Sequence, residues 1–170
     1  MRTHLLTAAL VLFGVAGLGA ETGVSLEGVW KIAERITPGT NPRANGVDVR
    51  QDNPRPSLLI FTKGHYSWMI EMGGGSRPEV ATPGDPQHLT DAEKIARYEQ
   101  WRPFTANSGT YEIAGPILIR HPIVAKNVEV MKQGTETRLE IRVENPNAIW
   151  LIPTGELAKT EPRIKLTRLE

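Results

Sequence analysis

Short apolar segments recur along the chain between clusters of glycine, proline and asparagine. Val, Ile, Leu, Tyr and Trp are frequent in these segments, and in several of them apolar and polar residues alternate one by one. Such alternation is typical of β-strands with one buried face, whereas an amphipathic helix repeats about every 3.6 residues. The pattern therefore predicts a mainly β protein whose strands are joined by antiparallel hairpins.

The clearest hairpin joins residues 57–62 to residues 65–70 through a Lys-Gly turn. A two-residue turn places Phe61 opposite Tyr66, with Trp68 on the same face. Because this face is apolar and aromatic, we expect it to point into the core.

A second hairpin is predicted within residues 108–121, turning through an Ala-Gly-Pro sequence. With a three-residue loop, Tyr111 lies opposite Ile119, and His121 falls on the same inward face. Arg120 then falls on the outer face. This register brings a phenol and an imidazole to one side of the sheet.

Further strands are predicted at residues 135–143 and 163–169. Alternation places Leu139, Ile141 and Val143 on the apolar face of the first, and Ile164 and Leu166 on one side of the second with Arg168. One helix is predicted at residues 90–101. Thr90 and Glu93 have the spacing of a capping box, which favours a helix start at this point. Three large apolar side chains recur at three-residue spacing in the helix, and we expect them to pack against the sheet: Ile95, Tyr98 and Trp101.

The first twenty residues have the pattern of an export signal. Arg2 precedes an apolar run that ends in Gly19-Ala20, small residues typical of a cleavage site. Cleavage after Ala20 predicts one domain over residues 21–170, in a periplasmic or secreted protein. The apolar run is short and glycine-rich, so we expect no stable membrane insertion after cleavage.

Charge and composition exclude several classes of function. The chain has 20 basic and 19 acidic residues, and removal of Arg2 with the signal leaves 19 of each. A neutral domain has no basic field to attract nucleic acid. The chain has no cysteine and no clustered histidines, so we expect no disulfide and no metal site. The sequence contains no cofactor-binding motif, so we also expect no cofactor.

Several short motifs resemble a known family. Gly28-Val29-Trp30 near the predicted domain's start and Arg168 near its end are similar to the lipocalin and calycin pattern. Three further segments resemble the bacterial lipocalin-like domain proteins: GHYSWMI at residues 64–70, SGTYEI at 108–113 and HP at 121–122. The resemblance spans about residues 26–170.

This resemblance implies a fold more than a reaction. It implies an up-and-down antiparallel β-barrel of about eight strands with an internal cavity. Trp30 closes one end of such a barrel, and Arg168 packs across its ring. The family is mostly uncharacterised, so it implies no substrate.

The leading functional hypothesis is the binding of a small hydrophobic or amphiphilic molecule inside the barrel, without a cofactor. Six inward side chains are expected to line the site: Phe61, Tyr66, Trp68, Tyr111, Ile119 and His121. The alternative is that these side chains fill the barrel as ordinary core.

Two other classes of function remain open. A cofactor-free isomerase or cyclase would use His121 and Tyr111 for proton transfer, since an unperturbed imidazole titrates near neutral pH. An envelope interaction module would instead bind another protein through its outer sheet or long loops. Binding is favoured over catalysis, and the sequence identifies no ligand.

Overall fold

The computed structural model describes residues 25–72 and 77–170. The predicted signal, residues 1–20, lies outside the described residues. Nine strands form within the described part: β1 (Gly28–Thr37), β2 (Val49–Asp52), β3 (Ser57–Thr62), β4 (His65–Glu71), β5 (Phe104–Ala114), β6 (Ile117–Ala125), β7 (Thr137–Asn145), β8 (Ala148–Pro153) and β9 (Arg163–Arg168). Helix α1 (Asp91–Trp101) lies between β4 and β5, and two 3₁₀ helices span Val128–Met131 and Gly155–Lys159.

The strands follow one another around a closed barrel. Each strand from β3 to β8 pairs antiparallel with the next, and β1 closes the ring by pairing with both β3 and β9. The short strand β2 pairs with the second half of β1 and adds a ninth strand beside the ring. The eight-stranded up-and-down antiparallel barrel with one short helix is therefore confirmed.

The hairpin of β3 and β4 has the predicted register. Phe61 pairs with Tyr66 and Leu59 pairs with Trp68, and all four side chains are buried. Gly64 occupies the turn at a φ of 82°, a left-handed conformation that glycine adopts without strain. The aromatic face of this hairpin forms one wall of the core.

The hairpin of β5 and β6 differs from the prediction by one residue. Ala114 pairs with Ile117, so the turn contains two residues and not three. Gly115 has a φ of 61° at the first turn position, as a primed two-residue turn requires. Because side chains alternate between faces, this shift moves residues 117–121 to the face opposite the predicted one.

Helix α1 begins as predicted but does not pack as predicted. Thr90 and Glu93 form the capping box, and the helix ends at Trp101. The apolar stripe is exposed, with Ile95 at 64% and Tyr98 at 63% of their accessible surface. The expected packing of this stripe on the barrel is therefore wrong. No helix in residues 25–72 and 77–170 is long and apolar enough to cross a bilayer.

A hydrophobic core lies inside the barrel. Its largest fully buried side chains come from five strands of the ring and from the segment just before β1: Trp30, Phe61, Leu26, Leu59, Leu118, Ile149, Leu151 and Leu166. Leu139, Ile141 and Ile164 extend this cluster, as the alternation in β7 and β9 predicted, whereas Val143 at the end of the same face is 38% exposed. Burial of these side chains is the main source of stability in a chain without cysteine.

Candidate functional site

The barrel is closed at one end by an indole and a guanidinium. Trp30 pairs with Arg168 across β1 and β9, and the Arg168 guanidinium carbon lies 4.1 Å from the centroid of the indole. Arg168 also donates hydrogen bonds to the carbonyls of Ser25 and Glu27, at 2.7 and 2.5 Å. The contact that the resemblance implied is present, and these hydrogen bonds hold the N-terminal segment across this end.

Steric crowding explains the presence of glycine at position 28, two residues before Trp30. Gly28 has a φ of 130°, and a Cβ atom at this position would collide with the carbonyl oxygen of Glu170 and the guanidinium of Arg168. Only glycine lets these segments approach so closely.

Farther along the barrel, the register of β6 places a second arginine inside. Arg120 pairs with Tyr111 on β5, and its neighbour Leu118 on the same face of β6 is part of the core. Arg120 is only 9% exposed. The expected placement of Arg120 on the outer face is therefore wrong, because it depended on a three-residue turn.

Two aromatic rings surround the Arg120 guanidinium. Its central carbon lies 4.1 Å from the Trp68 ring centroid and 5.3 Å from that of Tyr66. These contacts have cation-to-π geometry, which attracts the positive charge to the faces of the rings. They supply no hydrogen-bond acceptor.

The polar atoms of this cluster lack partners in the described part of the chain. Nε and Nη1 of Arg120 are fully buried and neither makes a hydrogen bond, and the same is true of the Tyr66 hydroxyl. Burial lowers the pKa of Arg120 to about 10, and Tyr66 opposes this shift. Burial likewise raises the pKa of the Tyr66 phenol, while Arg120 acts against the rise. At neutral pH the barrel therefore encloses a positive charge beside a neutral phenol.

Burial of these unpaired polar groups destabilises the folded protein. Buried polar groups are nearly always hydrogen-bonded in proteins, and a buried charge without an opposite charge is strongly unfavourable. Among the described residues, no carboxylate contributes to the pKa of Arg120. Buried groups left unsatisfied in this way are candidates for ligand contact.

A further arginine faces inward beyond a bulge in β1. Arg35 pairs with the buried Ile164, and its Nη1 lies 3.6 Å from the sulfur of Met72. Its Nε is buried without a hydrogen bond. Burial lowers the pKa of Arg35, while the nearby Glu161 carboxylate raises it. Two arginines, Arg120 and Arg35, therefore face inward in addition to Arg168 at the closed end.

Four of the six predicted lining residues do face inward. Phe61, Tyr66 and Trp68 are buried, and Tyr111 packs partly buried against the same core. The Tyr111 ring lies edge-on to Phe61 at 5.4 Å, and its hydroxyl donates to the carbonyl of Thr62 at 3.0 Å. Tyr111 is therefore held by the protein at the end where β3 turns into β4.

The other two predicted lining residues lie on the outer face. Ile119 is buried, but it pairs with Glu112 and Arg138 outside the core cluster. His121 is also on the outer face, where its Nε2 lies 3.7 Å from Oε1 of Glu112. The expected inward placement of Ile119 and His121 is wrong, and His121 and Tyr111 cannot act on one molecule inside the barrel.

A pocket of about 210 Å³ lies outside the barrel, where β8, β9 and the second 3₁₀ helix meet. Its wall includes Ile36 and Arg163, which pair with each other on the outer face of the sheet. The ion pair of Arg163 with Asp48, at 3.5 Å, borders this pocket. No three His, Asp or Glu side chains cluster as metal ligands within residues 25–72 and 77–170.

Comparisons with known proteins yield weak structural likenesses. No protein-family model and no curated protein matches the chain. A solved lipocalin-like protein from Bacteroides uniformis is 13% identical, with a TM-score of 0.44 over 85% of this chain and 98% of that one. An uncharacterized protein from Bacteroides eggerthii is 9% identical, with a TM-score of 0.43 over 85% and 99%. The assignment of this chain as a closed barrel rests on its own strand pairing.

Proposed function

We propose that this protein binds a small hydrophobic or amphiphilic molecule inside its barrel. One observation supports this function above the others: the aromatic wall formed by Tyr66 and Trp68 encloses polar atoms that have no partner among the described residues. Ligand sites combine an apolar, aromatic lining with a few polar groups in this way. The barrel fold is compatible with such a role, although one fold can host many functions.

The proposed location of this activity is outside the cytoplasm. The proposal rests on the export pattern of residues 1–20, with Arg2 before an apolar run and Ala20 at its end. A carrier released into the periplasm or the medium would meet amphiphilic molecules from membranes and from the surroundings. Mass spectrometry of the exported protein would identify its first residue, which is Glu21 if cleavage follows Ala20.

Intrinsic fluorescence provides a direct test of binding. The chain has four tryptophans, of which Trp68 lies in the proposed site and Trp101 lies half-exposed on helix α1. Titration with fatty acids, terpenoids and polyphenols should give a saturable change in emission. The Trp68→Phe variant should lose most of that change, and the matched variant Trp101→Phe should keep it.

Two results would contradict the proposal. Native mass spectrometry of protein purified from its own host should show a bound small molecule. The proposal fails if no guest copurifies and no compound in the panel gives saturable binding. A response that survives in Trp68→Phe but disappears in Trp101→Phe would place the site on the exposed helix, as an interaction module would predict.

A further inference from the structure

Resting on the proposed function, we infer that the bound molecule carries a carboxylate, which Arg120 and Tyr66 hold inside the barrel. The structure places the unpaired nitrogens of Arg120 and the unpaired hydroxyl of Tyr66, both within the described part of the chain, around one aromatic cluster. A monoanionic headgroup on an apolar tail is the chemistry that satisfies both groups.

The charge of the site selects an anion. Arg120 is buried with no carboxylate acting on it from the described residues, so a bound cation or a neutral guest would leave the charge unbalanced. Arg35 also faces inward, but the nearby Glu161 carboxylate acts on it, so Arg120 is the inward-facing cation that a ligand anion would balance. Like charges on the wall disfavour a cationic guest.

The hydrogen-bonding groups select an acceptor. A guanidinium has only donors, and a protonated phenol can donate its hydroxyl hydrogen. An ionised carboxylate has two oxygens with about four lone-pair sites, so one headgroup can accept from Nε or Nη1 of Arg120 and from the Tyr66 hydroxyl. A neutral alcohol accepts fewer hydrogen bonds and does not balance the charge.

The rings decide between a carboxylate and a larger anion. Trp68 lies against the face of the guanidinium at 4.1 Å, so a ligand oxygen can hydrogen-bond to its nitrogens only in the plane of the group. A flat carboxylate can approach that edge. A phosphate monoester is bulkier and carries up to two negative charges, more than Arg120 alone balances.

Affinity measurements with matched ligands test this inference. Dodecanoate, dodecanol and dodecyl phosphate share one alkyl chain and differ only in their headgroups. Calorimetric titration below micelle concentrations at about pH 7.5 should show dodecanoate binding about tenfold or more tightly than dodecanol. Tighter binding of dodecyl phosphate than of dodecanoate would overturn the assignment of a carboxylate.

Three variants test which side chains cause the preference for dodecanoate over dodecanol. Arg120→Met should lose about tenfold or more in affinity for dodecanoate and keep its affinity for dodecanol. Tyr66→Phe keeps the ring and should lose about threefold for dodecanoate alone. Arg142→Met makes the same substitution on the outer face of β7, where the side chain is 65% exposed, and should change neither affinity.

The outcomes separate this inference from the function on which it rests. Equal affinity of the unaltered protein for dodecanoate and dodecanol, with no effect of Arg120→Met, would overturn the carboxylate site and leave ligand binding intact. If neither ligand binds and the wider panel gives no saturable response, the proposed function fails and the inference fails with it. Circular dichroism and unfolding curves of each variant show that a lost affinity is not a lost fold.

Discussion

Replacing Arg120 with methionine should stabilise the ligand-free protein. The substitution removes a buried charge and leaves a flexible apolar side chain beside Trp68 and Tyr66. Burial lowers the pKa of Arg120 to about 10. Each pH unit between this pKa and the usual arginine value corresponds to about 1.4 kcal/mol, so the charge costs the folded state on the order of 3 kcal/mol.

Lost ring contacts offset part of this gain. Stacking of a desolvated cation on aromatic rings contributes up to about 2 kcal/mol, and a methionine sulfur recovers part of that contact. We therefore expect Arg120→Met to raise the free energy of unfolding by about 1 to 2 kcal/mol and Tm by several degrees. Urea denaturation without ligand measures this change. Arg142→Met, on the exposed outer face, should stay within about 0.5 kcal/mol of the unaltered protein.

The pH dependence of stability gives a second readout of the buried charge. Because folding depresses the pKa of Arg120, the unfolded chain holds this proton more tightly than the folded protein does. The cost of the charge is therefore complete below about pH 10 and fades as the pH rises above it. The stability difference between Arg120→Met and the unaltered protein should shrink above that pH. A variant less stable by more than about 1 kcal/mol at neutral pH would refute the assignment of an unpaired buried charge.

Three further predictions test the register and the closure of the barrel. Trp30→Ala should lower the free energy of unfolding by about 3 to 5 kcal/mol. A double-mutant cycle with Arg168→Ala should give a coupling free energy of about 1 kcal/mol. Additive effects would contradict closure of the barrel by the contact of Trp30 with Arg168. Gly109→Ala should lower the melting temperature, because its Cβ would collide with the carbonyl oxygen of His121. The control Gly84→Ala, whose Cβ would have nothing within 4 Å, should be nearly neutral. Equal effects of the two substitutions would contradict this close approach. His121→Ala should leave the affinity for a hydrophobic guest unchanged in fluorescence titrations, and a lost affinity would place this residue inside the barrel after all.

The barrel was predictable where turn chemistry and alternation agreed. The Lys-Gly turn has one obvious length, so the pairing of Phe61 with Tyr66 followed from the sequence. The strict alternation in β7 likewise identified Leu139 and Ile141 as core residues. The contact of Trp30 with Arg168 joins the first and last strands of the ring, and it was expected only because of a family resemblance.

The site was only partly predictable because its register depends on one turn. Both two-residue and three-residue loops fit the Ala-Gly-Pro sequence, and the choice reverses the faces of β6. The signal that favours the shorter loop is Gly115, since glycine is typical of the first position of a type II′ turn. With that choice, Arg120 would have been predicted inside, and Ile119 and His121 outside.

The exposed stripe on helix α1 shows a different limit. The capping box determines where the helix starts, so Thr90 and Glu93 were informative. Spacing at three residues describes which side chains share a face, but it does not say what covers that face. Tyr98 and Trp101 are exposed in the described structure, at 63% and 50%.

Nuclear magnetic resonance of the arginine side chains tests the central claim most directly. With ¹⁵N-labelled arginine, the Nε resonance of Arg120 is assigned as the one missing from Arg120→Met. Titration with dodecanoate should shift this resonance in proportion to occupancy and leave that of Arg142 in place. Saturable binding of dodecanoate with no change at Arg120 would contradict a carboxylate site inside the barrel.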